Sequence, residues 1–179
     1  MNFCSACGGP IVRRVPPGDN RERFVCQRCE TVHYVNPKIV TGCLPVYDGA
    51  VLLCLRGIEP RKGLWTLPAG FLELGETTLA GALRETREEA CANVDPLGLY
   101  TVFNLPHISQ VYLFYRARLT DDGFSPGEET TDVRLFDERD IPWDDLAFPV
   151  VTNTLRHYFS DRVSGDFPVR VEDIVIQRR

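Results

Sequence analysis

The sequence contains no apolar run long enough to cross a bilayer, no excess of basic residues, and no internal repeat or low-complexity segment. A membrane-spanning helix needs about 20 consecutive, mostly apolar residues, so we expect no membrane association. Asp and Glu number 25 against 20 Lys and Arg, which gives a formal net charge of −5. Because nucleic acids bind proteins mainly through basic surfaces, this balance argues against nucleic acid as a partner.

We also expect no secretory leader, because Met1 to Phe3 leave no room for a hydrophobic stretch before Cys4. We therefore expect a cytoplasmic protein. The chain has 179 residues, of which 44% are hydrophobic and 25% are charged. That size and composition predict one ordinary globular domain with a small appendage.

Four cysteines form two closely spaced pairs near the start of the chain. Cys4 and Cys7 make the first pair, and Cys26 and Cys29 make the second. Two Cys-x2-Cys pairs in this arrangement predict a tetrahedral Cys₄ site for Zn²⁺. The alternative is two disulfides, which would need an oxidising compartment. Residues 1–35 hold too little apolar mass to fold alone, so bound zinc would supply much of their folding free energy.

Three further cysteines and one histidine lie outside this pattern. Cys43, Cys54 and Cys91 stand in apolar or helical surroundings, so we expect them to be buried thiols. His33 follows the second cysteine pair closely, but four sulfurs already complete a tetrahedral zinc shell. We therefore expect a structural role for His33.

Three carboxylates, Glu85, Glu88 and Glu89, are spaced to share one face of a helix. Oxygen ligands grouped in this way suit Mg²⁺ or Mn²⁺, which take a few carboxylates and complete their shell with water and substrate phosphate. The alternative is a solvated face on which the like charges merely repel one another. An apolar stripe on the same helix predicts a buried face that excludes all three glutamates. The stripe consists of Leu79, Leu83, Thr86 and Ala90.

These glutamates belong to a longer pattern, which begins with Gly70 to Glu76 and ends with the run Arg84 to Glu89. The pattern resembles the Nudix box of nucleoside-diphosphate-X hydrolases. The resemblance implies a strand-loop-helix that holds Mg²⁺ (or Mn²⁺) on a pyrophosphate. The metal ligands that it implies are Gly70, Glu85, Glu88 and Glu89.

The same resemblance implies roles for other charged residues. Arg84 would orient a ligand through its fork-shaped guanidinium, and the alternative is a surface ion pair with Glu88. Glu128 and Glu129 stand on a glycine-containing loop, where some Nudix enzymes keep a mobile glutamate as general base. The alternative for this loop is a solvated acidic turn. The predicted catalytic set is therefore Arg84, Glu85, Glu88, Glu89, Glu128 and Glu129.

Three residues are candidates for substrate contact: Arg56, Trp65 and Glu76. Arg56 ends a predicted strand and could bind phosphate, or it could be an ordinary surface charge. An aromatic ring such as Trp65, Phe103 or Tyr112 could stack on adenine or flavin, although each such ring is more often part of a core. Glu76 lies inside the box.

The substrate prediction depends on a second resemblance. The ribbon and the segments 33–38 and 105–114 are similar to a bacterial subgroup whose relatives include the plant chloroplast FAD and ADP-ribose pyrophosphatase. This implies a small nucleotide derivative as substrate: FAD, cleaved to FMN and AMP, or ADP-ribose, cleaved to AMP and ribose 5-phosphate. We also expect a homodimer.

Other substrates and another class of function stay open. The motif Ser-Gln-Pro-Trp-Pro-Phe-Pro, which marks NADH pyrophosphatases, is absent from the sequence. NADH pyrophosphatase and RNA-cap hydrolase activities are nevertheless alternatives. A Nudix-like module that senses a nucleotide without cleaving it is a further one, although such modules commonly lose a metal glutamate.

The order of predicted elements indicates the fold class. Strands, a helix, further strands and a second helix follow one another, and Asp48-Gly49 predicts a hairpin between the first two strands. This order predicts an α/β protein, an α/β/α sandwich with a mixed sheet, in agreement with the Nudix fold. We expect a small zinc ribbon at residues 1–35, a Nudix hydrolase domain at 36–162, and a C-terminal tail at 163–179 that could add an edge strand.

Overall fold

The computed structural model describes residues 1–121 and 123–175. The chain separates into two units, of which the first is Met1–Asn36 and the second begins at Pro37. Among the described residues, no helix combines the length and the apolarity that crossing a bilayer requires.

The first unit is a three-stranded antiparallel sheet. Its strands, in the spatial order β1-β2-β3, are β1 (Ile11–Arg14), β2 (Arg23–Cys26) and β3 (Val32–His33). The apolar side chains buried in this unit are Cys4, Pro16, Val25 and Cys26. So small a core gives little hydrophobic stabilisation, which is why the cysteine cluster matters to the stability of this unit.

The second unit contains two α-helices and eight strands within the described residues. The first half comprises β4 (Lys38–Tyr47), β5 (Ala50–Arg56), β6 (Trp65–Thr66), β7 (Ala69–Phe71) and α1 (Thr78–Ala90). The second half comprises β8 (Val94–Leu105), β9 (Gln110–Leu119), β10 (Thr130–Phe136), α2 (Pro149–Ser164) and β11 (Arg170–Asp173). The hairpin between β4 and β5 turns at Asp48 and Gly49, both with positive φ, as the sequence predicts.

The strands of the second unit form one mixed sheet. The main path runs β10-β5-β4-β9-β8-β11, while β6 pairs with β5 and β7 pairs with β4. β4 is parallel to β9, and β11 is parallel to β8, whereas the other pairs are antiparallel. The predicted mixed sheet is therefore confirmed.

The two helices cover opposite faces of this sheet. α1 packs on the face that carries Thr41, whose hydroxyl donates to the carbonyl oxygen of Thr78. α2 packs on the face that carries Thr101, whose hydroxyl lies 3.1 Å from that of Thr154. Thr101 is in register with Gly42 across β9, so these two residues point to the same face of the sheet. Thr41 is the neighbour of Gly42 in β4 and therefore points to the opposite face. The arrangement is the predicted α/β/α sandwich.

The C-terminal tail is part of this sheet. β11 pairs in parallel with Thr101–Asn104 of β8, so the predicted edge strand is confirmed. The guanidinium of Arg170 donates to the buried carboxylate of Asp161 on α2, with 2.6 Å between Nη2 and Oδ1. α2 itself continues to Ser164, past the domain boundary predicted at residue 162. Tail and helix are thus tied together by a buried ion pair.

Candidate active site

Capping interactions define both ends of α1. Thr77 is the N-cap, and its side-chain oxygen accepts a hydrogen bond from the amide of Ala80, as expected for this residue type. Cys91 ends the helix in the left-handed conformation, and its amide donates to the carbonyl oxygen of Arg87. Cys43 and Cys54 are buried as predicted, but the prediction is wrong for Cys91, which is exposed because the chain turns away from the helix there.

The buried face of α1 differs from the predicted stripe. Its buried residues are Gly81, Ala82, Thr86, Glu89 and Ala90. Small residues therefore make the closest approach to the sheet, and this turns Glu89 inward until it is only 8% exposed. The prediction that all three glutamates lie outside the core is wrong for Glu89. Its carboxylate is compensated in part by the amide of Ala69, which donates to Oε2 over 3.0 Å.

Gly70 in β7 allows the backbone to lie directly against Glu85. A side-chain carbon at residue 70 would be 2.4 Å from the Glu85 carboxylate, which no real contact permits. The position of Gly70 is fixed by the sheet, because it pairs with Thr41 of β4. The Gly70 backbone and the Glu85 carboxylate therefore share one small space, as the predicted pair of metal ligands would require.

Arg84 joins the helix to the loop that precedes it. Its guanidinium donates to both carboxylate oxygens of Glu76, over 2.8 and 3.1 Å, and to the carbonyl oxygen of Phe71. It also donates to Glu85 over 2.7 Å and to Glu88 over 2.9 Å. The surface ion pair with Glu88 is thus one contact of several. A planar guanidinium with several fixed partners restricts where each carboxylate can point.

The glutamates of α1 differ in their affinity for protons. Burial raises the pKa of Glu89 to about 7 and also raises the pKa of Glu85. By contrast, hydrogen bonds from Arg84 lower the pKa of Glu76. When burial disfavours the charged form of a carboxylate in this way, a nearby cation strongly stabilises that charged form.

The donor chemistry of this face fits a hard divalent cation. Glu85, Glu88, Glu89 and the backbone of Gly70 offer only oxygen, the ligand type that Mg²⁺ and Mn²⁺ prefer. Among the described residues, the four cysteines near the start of the chain are the only group whose ligand atoms all lie within 4.8 Å of one another. The α1 carboxylates are spread more widely, because Arg84 holds Glu85 and Glu88.

A cavity of 1090 Å³ opens beside these carboxylates. Its acidic side is formed by Glu85, Glu88, Glu89, Glu128 and Glu129. Its apolar side is formed by Leu105, Tyr112, Phe114, Phe148, Val150 and Ile174. Small-molecule sites commonly measure about 300–1,000 Å³, so this cavity has room for a ligand as large as a dinucleotide.

Arg56 lies between the acidic and the apolar side. Its guanidinium stacks over the ring of Phe148 at 5.3 Å, and its Nε donates to the carbonyl oxygen of Pro60 over 2.8 Å. Burial raises the pKa values of Glu89 and Tyr112, and the charge of Arg56 is near enough to oppose that effect at both residues. A cation held in this place can pair with a phosphate that spans the two sides.

The loop before β10 supplies two more acidic residues. A side-chain carbon at Gly127 would lie 1.7 Å from the carbonyl oxygen of Glu88, so only glycine lets this loop rest on the last turn of α1. Glu128 and Glu129 follow at the cavity wall, and both are exposed. The charge of Glu129 adds to burial in raising the pKa of Glu89. The two predicted base candidates are therefore beside the α1 carboxylates.

Two of the three predicted substrate contacts lie away from the cavity wall. Trp65 packs edge-to-face against Phe136, with ring centroids 4.9 Å apart, because β6 directs the ring into the core. Glu76 is occupied by Arg84 and by the amide of Glu73. Neither Trp65 nor Glu76 lines the cavity, whereas Arg56 does. Of the three candidates, the structure brings only Arg56 to the cavity wall.

The sequence predicts only some of the apolar residues of the cavity. Tyr112 was a candidate and lines the cavity, while Phe103 is fully buried in the core. Phe148 and Ile174 were missed. Phe148-Pro149 marks the start of α2, which gives a local indication of position but not of exposure to a ligand. Ile174 has no local indication, because its place depends on the distant pairing of β11 with β8.

The four predicted zinc ligands converge in the first unit. Sγ of Cys4 lies 3.7 Å from Sγ of Cys29, and Sγ of Cys7 lies 3.5 Å from Sγ of Cys26. These separations are too long for disulfides, whose sulfurs are about 2.05 Å apart. Backbone amides donate to a sulfur of each pair. The amide of Gly9 donates to the sulfur of Cys7, and two amides of the turn after Cys26 donate to the sulfur of Cys26. The cluster has the form of a zinc ribbon.

Other polar groups surround this cluster. Nε2 of His33 lies 3.2 Å from Sγ of Cys4, so His33 contacts the thiol group without being needed as a fifth ligand. A hydrogen bond with Thr31 lowers the pKa of Cys29 to about 6. Thiolates, and not thiols, bind zinc, so the contact with Thr31 favours the binding form of Cys29.

Both units match known families. Residues 2–35 match the family described as Nudix N-terminal, a zinc ribbon, and residues 36–169 match the NUDIX domain. A NUDIX hydrolase of known crystal structure from Nitrosomonas europaea is 50% identical to this chain, with a TM-score of 0.94. The similarity covers 97% of this chain and 99% of that one.

Curated relatives are more distant. The NAD-capped RNA hydrolase NudC of Vibrio atlanticus is 30% identical over 79% of this chain, and the ADP-ribose pyrophosphatase of Methanocaldococcus jannaschii is 26% identical over 64%. The chain spans about half, 51%, of the length of the first relative and 69% of the second. Since the NUDIX domain match covers most of the chain and agrees with its α/β/α fold, the protein belongs to the Nudix family and carries the zinc ribbon of that family.

Proposed function

We propose that this chain is a Nudix pyrophosphohydrolase, which cleaves the pyrophosphate of a nucleoside diphosphate linked to another moiety and depends on a divalent cation. One observation carries the proposal. Glu85 and Glu89 stand with the backbone of Gly70 at the acidic side of a cavity that is large enough for a dinucleotide and is also lined by Arg56. A diphosphate bound at Arg56 would have a metal site on one side and an apolar surface on the other.

The residues that would hold the cation, Mg²⁺ or Mn²⁺, are Gly70, Glu85, Glu88 and Glu89. When bound, the cation supplies phosphate charge neutralisation and a lowered pKa of coordinated water. Arg84 binds the carboxylates of Glu85 and Glu88 and so limits where each of them can point. The sequence-based metal assignment therefore stays a proposal that the donor chemistry and the close approach at Gly70 support.

The chain's own residues would handle charge and protons. Arg56 pairs with a phosphate oxygen, which holds the diphosphate against the acidic side. Glu129, or its neighbour Glu128, accepts the proton of the attacking water. The leaving phosphate monoester has a second pKa of about 6, so it departs without help from a strong acid. Positioning and charge neutralisation then carry most of the catalysis.

ADP-ribose and FAD are the substrates that we propose. The relative named ADP-ribose pyrophosphatase supports the first, and the resemblance of segments 33–38 and 105–114 to the chloroplast subgroup supports both. The apolar side of the cavity offers Tyr112 and Phe148 as surfaces for a flat ring.

NAD-capped RNA is the second candidate substrate. It is favoured by relatives named NAD-capped RNA hydrolase, although the chain covers only 51% of the first of them. These names disagree with the expectation, drawn from the net charge of −5, that nucleic acid is not a partner.

A product assay with Mg²⁺ tests the proposal. FAD, ADP-ribose, NADH and NAD-capped RNA are compared by kcat/KM, and products are identified by chromatography. We expect AMP from ADP-ribose and FAD, with higher kcat/KM than for NADH. A preference for NADH or capped RNA would overturn the substrate assignment. If the protein binds one of these four compounds but cleaves none of them, the result would instead indicate a nucleotide-sensing module.

Two other predictions accompany this one. Zinc analysis of purified protein should give about one Zn²⁺ per chain, held by Cys4, Cys7, Cys26 and Cys29. The expected homodimer stays a prediction, and light scattering coupled to gel filtration would detect it.

A further inference from the structure

The apolar side of the cavity has a continuous floor that crosses four neighbouring strands. Val40 of β4 pairs with Tyr112 of β9, and Tyr112 pairs with Phe103 of β8. Leu105 lies two residues after Phe103, so it points to the same face of the sheet. Val40, Tyr112 and Leu105 all line the cavity. This is the face that α2 covers, so the cavity lies between the sheet and the start of that helix.

β11 continues the floor beyond Leu105. Asp173 pairs with Asn104, and the amide of Ile174 donates to the carbonyl oxygen of Asn104 over 2.9 Å. Ile174 therefore lies beside Leu105 on the same face, where it is partly buried against the core and lines the cavity. The C-terminal segment thus supplies the far wall of the apolar side.

Contacts on both sides hold this wall in place. Arg170 binds the buried carboxylate of Asp161, and Asn104 donates from Nδ2 to Oδ1 of Asp173 over 2.9 Å. Phe167 adds apolar anchoring, because its ring stacks on Tyr158 with centroids 6.1 Å apart. A segment fixed at this many points can present Ile174 in one position, which selectivity for a ligand's shape requires.

The opposite wall of the apolar side is aromatic. Phe148, immediately before α2, faces the cavity and carries the guanidinium of Arg56 on its ring. The part of the cavity between Phe148 and the sheet floor, called the slot below, has the apolar side chains of Leu105, Tyr112 and Ile174 on its floor, and Arg56 stands at its Phe148 wall. Flat heteroaromatic rings suit such a slot, because both of their faces are apolar while their edges are polar. Gln110 and His107 stand at its border and offer hydrogen-bonding groups to a ring edge.

We propose that this slot is the subsite for the adenine ring of the substrate, and that Ile174 is the residue of the C-terminal segment that sets its length. The inference rests on the proposed function for the direction in which a substrate lies, with its phosphates toward Arg56. The substrates proposed above, FAD and ADP-ribose, both carry an adenylate half. Ile174 would contact the ring and take no part in the chemical step.

AMP is the probe that tests this subsite, since it carries adenine and one phosphate and contains no pyrophosphate to cleave. Its dissociation constant is measured by calorimetry with Mg²⁺ for the whole chain and for Ile174→Ala, Ile174→Leu and Val171→Ala. Val171 is the matched control, because it lies in the same C-terminal segment, three residues before Ile174, but is 66% exposed and does not line the cavity. Circular dichroism and melting temperature verify that each variant is folded.

We expect Ile174→Ala to weaken AMP binding about tenfold, the size expected when part of the contact made by three carbons is lost. Ile174→Leu, which keeps the volume, should stay within twofold of the wild type, as should Val171→Ala. With ADP-ribose, Ile174→Ala should raise KM while kcat changes little, because the acidic side is untouched.

Three results would overturn the subsite. They are AMP binding by Ile174→Ala within twofold of the wild type, equal weakening by Val171→Ala, and no AMP binding by the wild type. Failure of the proposed function would look different: AMP would bind and depend on Ile174, while no pyrophosphate substrate would be hydrolysed.

Discussion

Replacement of Glu89 by Gln separates the stability of the site from its catalysis. Glu89 is 8% exposed, and burial raises its pKa to about 7 from an ordinary value of 4.5. A carboxyl group with a raised folded-state pKa binds more protons in the folded than in the unfolded chain between those two values. Without divalent cation, its contribution to stability is therefore fully present below about pH 4.5 and is lost as pH rises through about 7.

The gap between the two pKa values corresponds to at most roughly 3 kcal/mol of destabilisation above pH 7. Gln removes the charge and keeps an oxygen that can accept the hydrogen bond of Ala69. At pH 8 without added Mg²⁺, Glu89→Gln should therefore be more stable than the wild type by about 1–3 kcal/mol. The two proteins should be nearly equal at pH 4.5.

Urea unfolding at several pH values measures this difference in the free energy of unfolding. The buffers contain no added divalent cation, and they contain no strong chelator, so that the zinc ribbon keeps its metal. Glu88→Gln is the control, because the Glu88 side chain is 57% exposed and its charge stays hydrated. That variant should change stability by only tenths of a kcal/mol. Equal pH dependence in the wild type and Glu89→Gln would refute the argument from burial.

Catalysis should respond in the opposite direction. With Mg²⁺ and ADP-ribose, both Glu88→Gln and Glu89→Gln remove an anionic metal ligand, so kcat should fall by orders of magnitude while circular dichroism stays native. Mg²⁺ with substrate should also raise the melting temperature of the wild type more than that of Glu89→Gln. Near wild-type activity in both variants would sink the assignment of this face as the metal site.

Three further changes test other parts of the molecule. Arg84→Lys should lower kcat/KM at least tenfold, because a lysine ammonium cannot make the paired contacts with Glu76, and an unchanged rate would contradict a positioning role. Cys26→Ser should abolish stoichiometric zinc and disorder the first unit, which zinc analysis and proton NMR detect; full zinc content would point to other ligands. Asp161→Asn should destabilise the chain by about 2 kcal/mol at pH 7, because Arg170 loses its anionic partner in a buried site. Burial acts to raise the pKa of Asp161, but hydrogen bonds from Arg170 and Tyr100 lower it below the ordinary range. The contribution of the ionised Asp161 to stability is therefore present at neutral pH and is lost as pH falls through its folded-state pKa.

Features set by local backbone chemistry could be predicted from the sequence. Thr77 caps α1 because its side chain reaches the amide of Ala80, and Asp48-Gly49 turns the hairpin because both residues adopt positive φ. Gly70 was identifiable because its partner, Glu85, stands in the same short pattern. In each case the physical cause lies within a few turns of chain.

Features set by distant packing could not be predicted. The buried position of Glu89 depends on how closely Gly81 and Ala82 let α1 approach the sheet, which the periodicity of the larger apolar residues does not reveal. The place of Ile174 depends on a parallel strand pair that joins the end of the chain to β8. The two alternatives for Trp65 are not separable in sequence for a related reason, since an aromatic ring looks the same whether it faces a core or a ligand.

The burial of Glu89 departs from the ordinary placement of charges, and the departure has a consequence. A carboxylate in the core lowers the stability of the protein at neutral pH unless a cation is near it. Three arrangements hold it there all the same: the small residues on the buried face of α1, the amide of Ala69, and the glycine at position 70 that makes room for Glu85 beside it. Structural preference alone would remove such a charge, because Gln in its place is expected to be more stable. A site that retains a destabilising carboxylate next to an open cavity is best explained by the binding of a cation to it, and the two Glu89→Gln measurements, of stability and of turnover, are the direct test of that explanation.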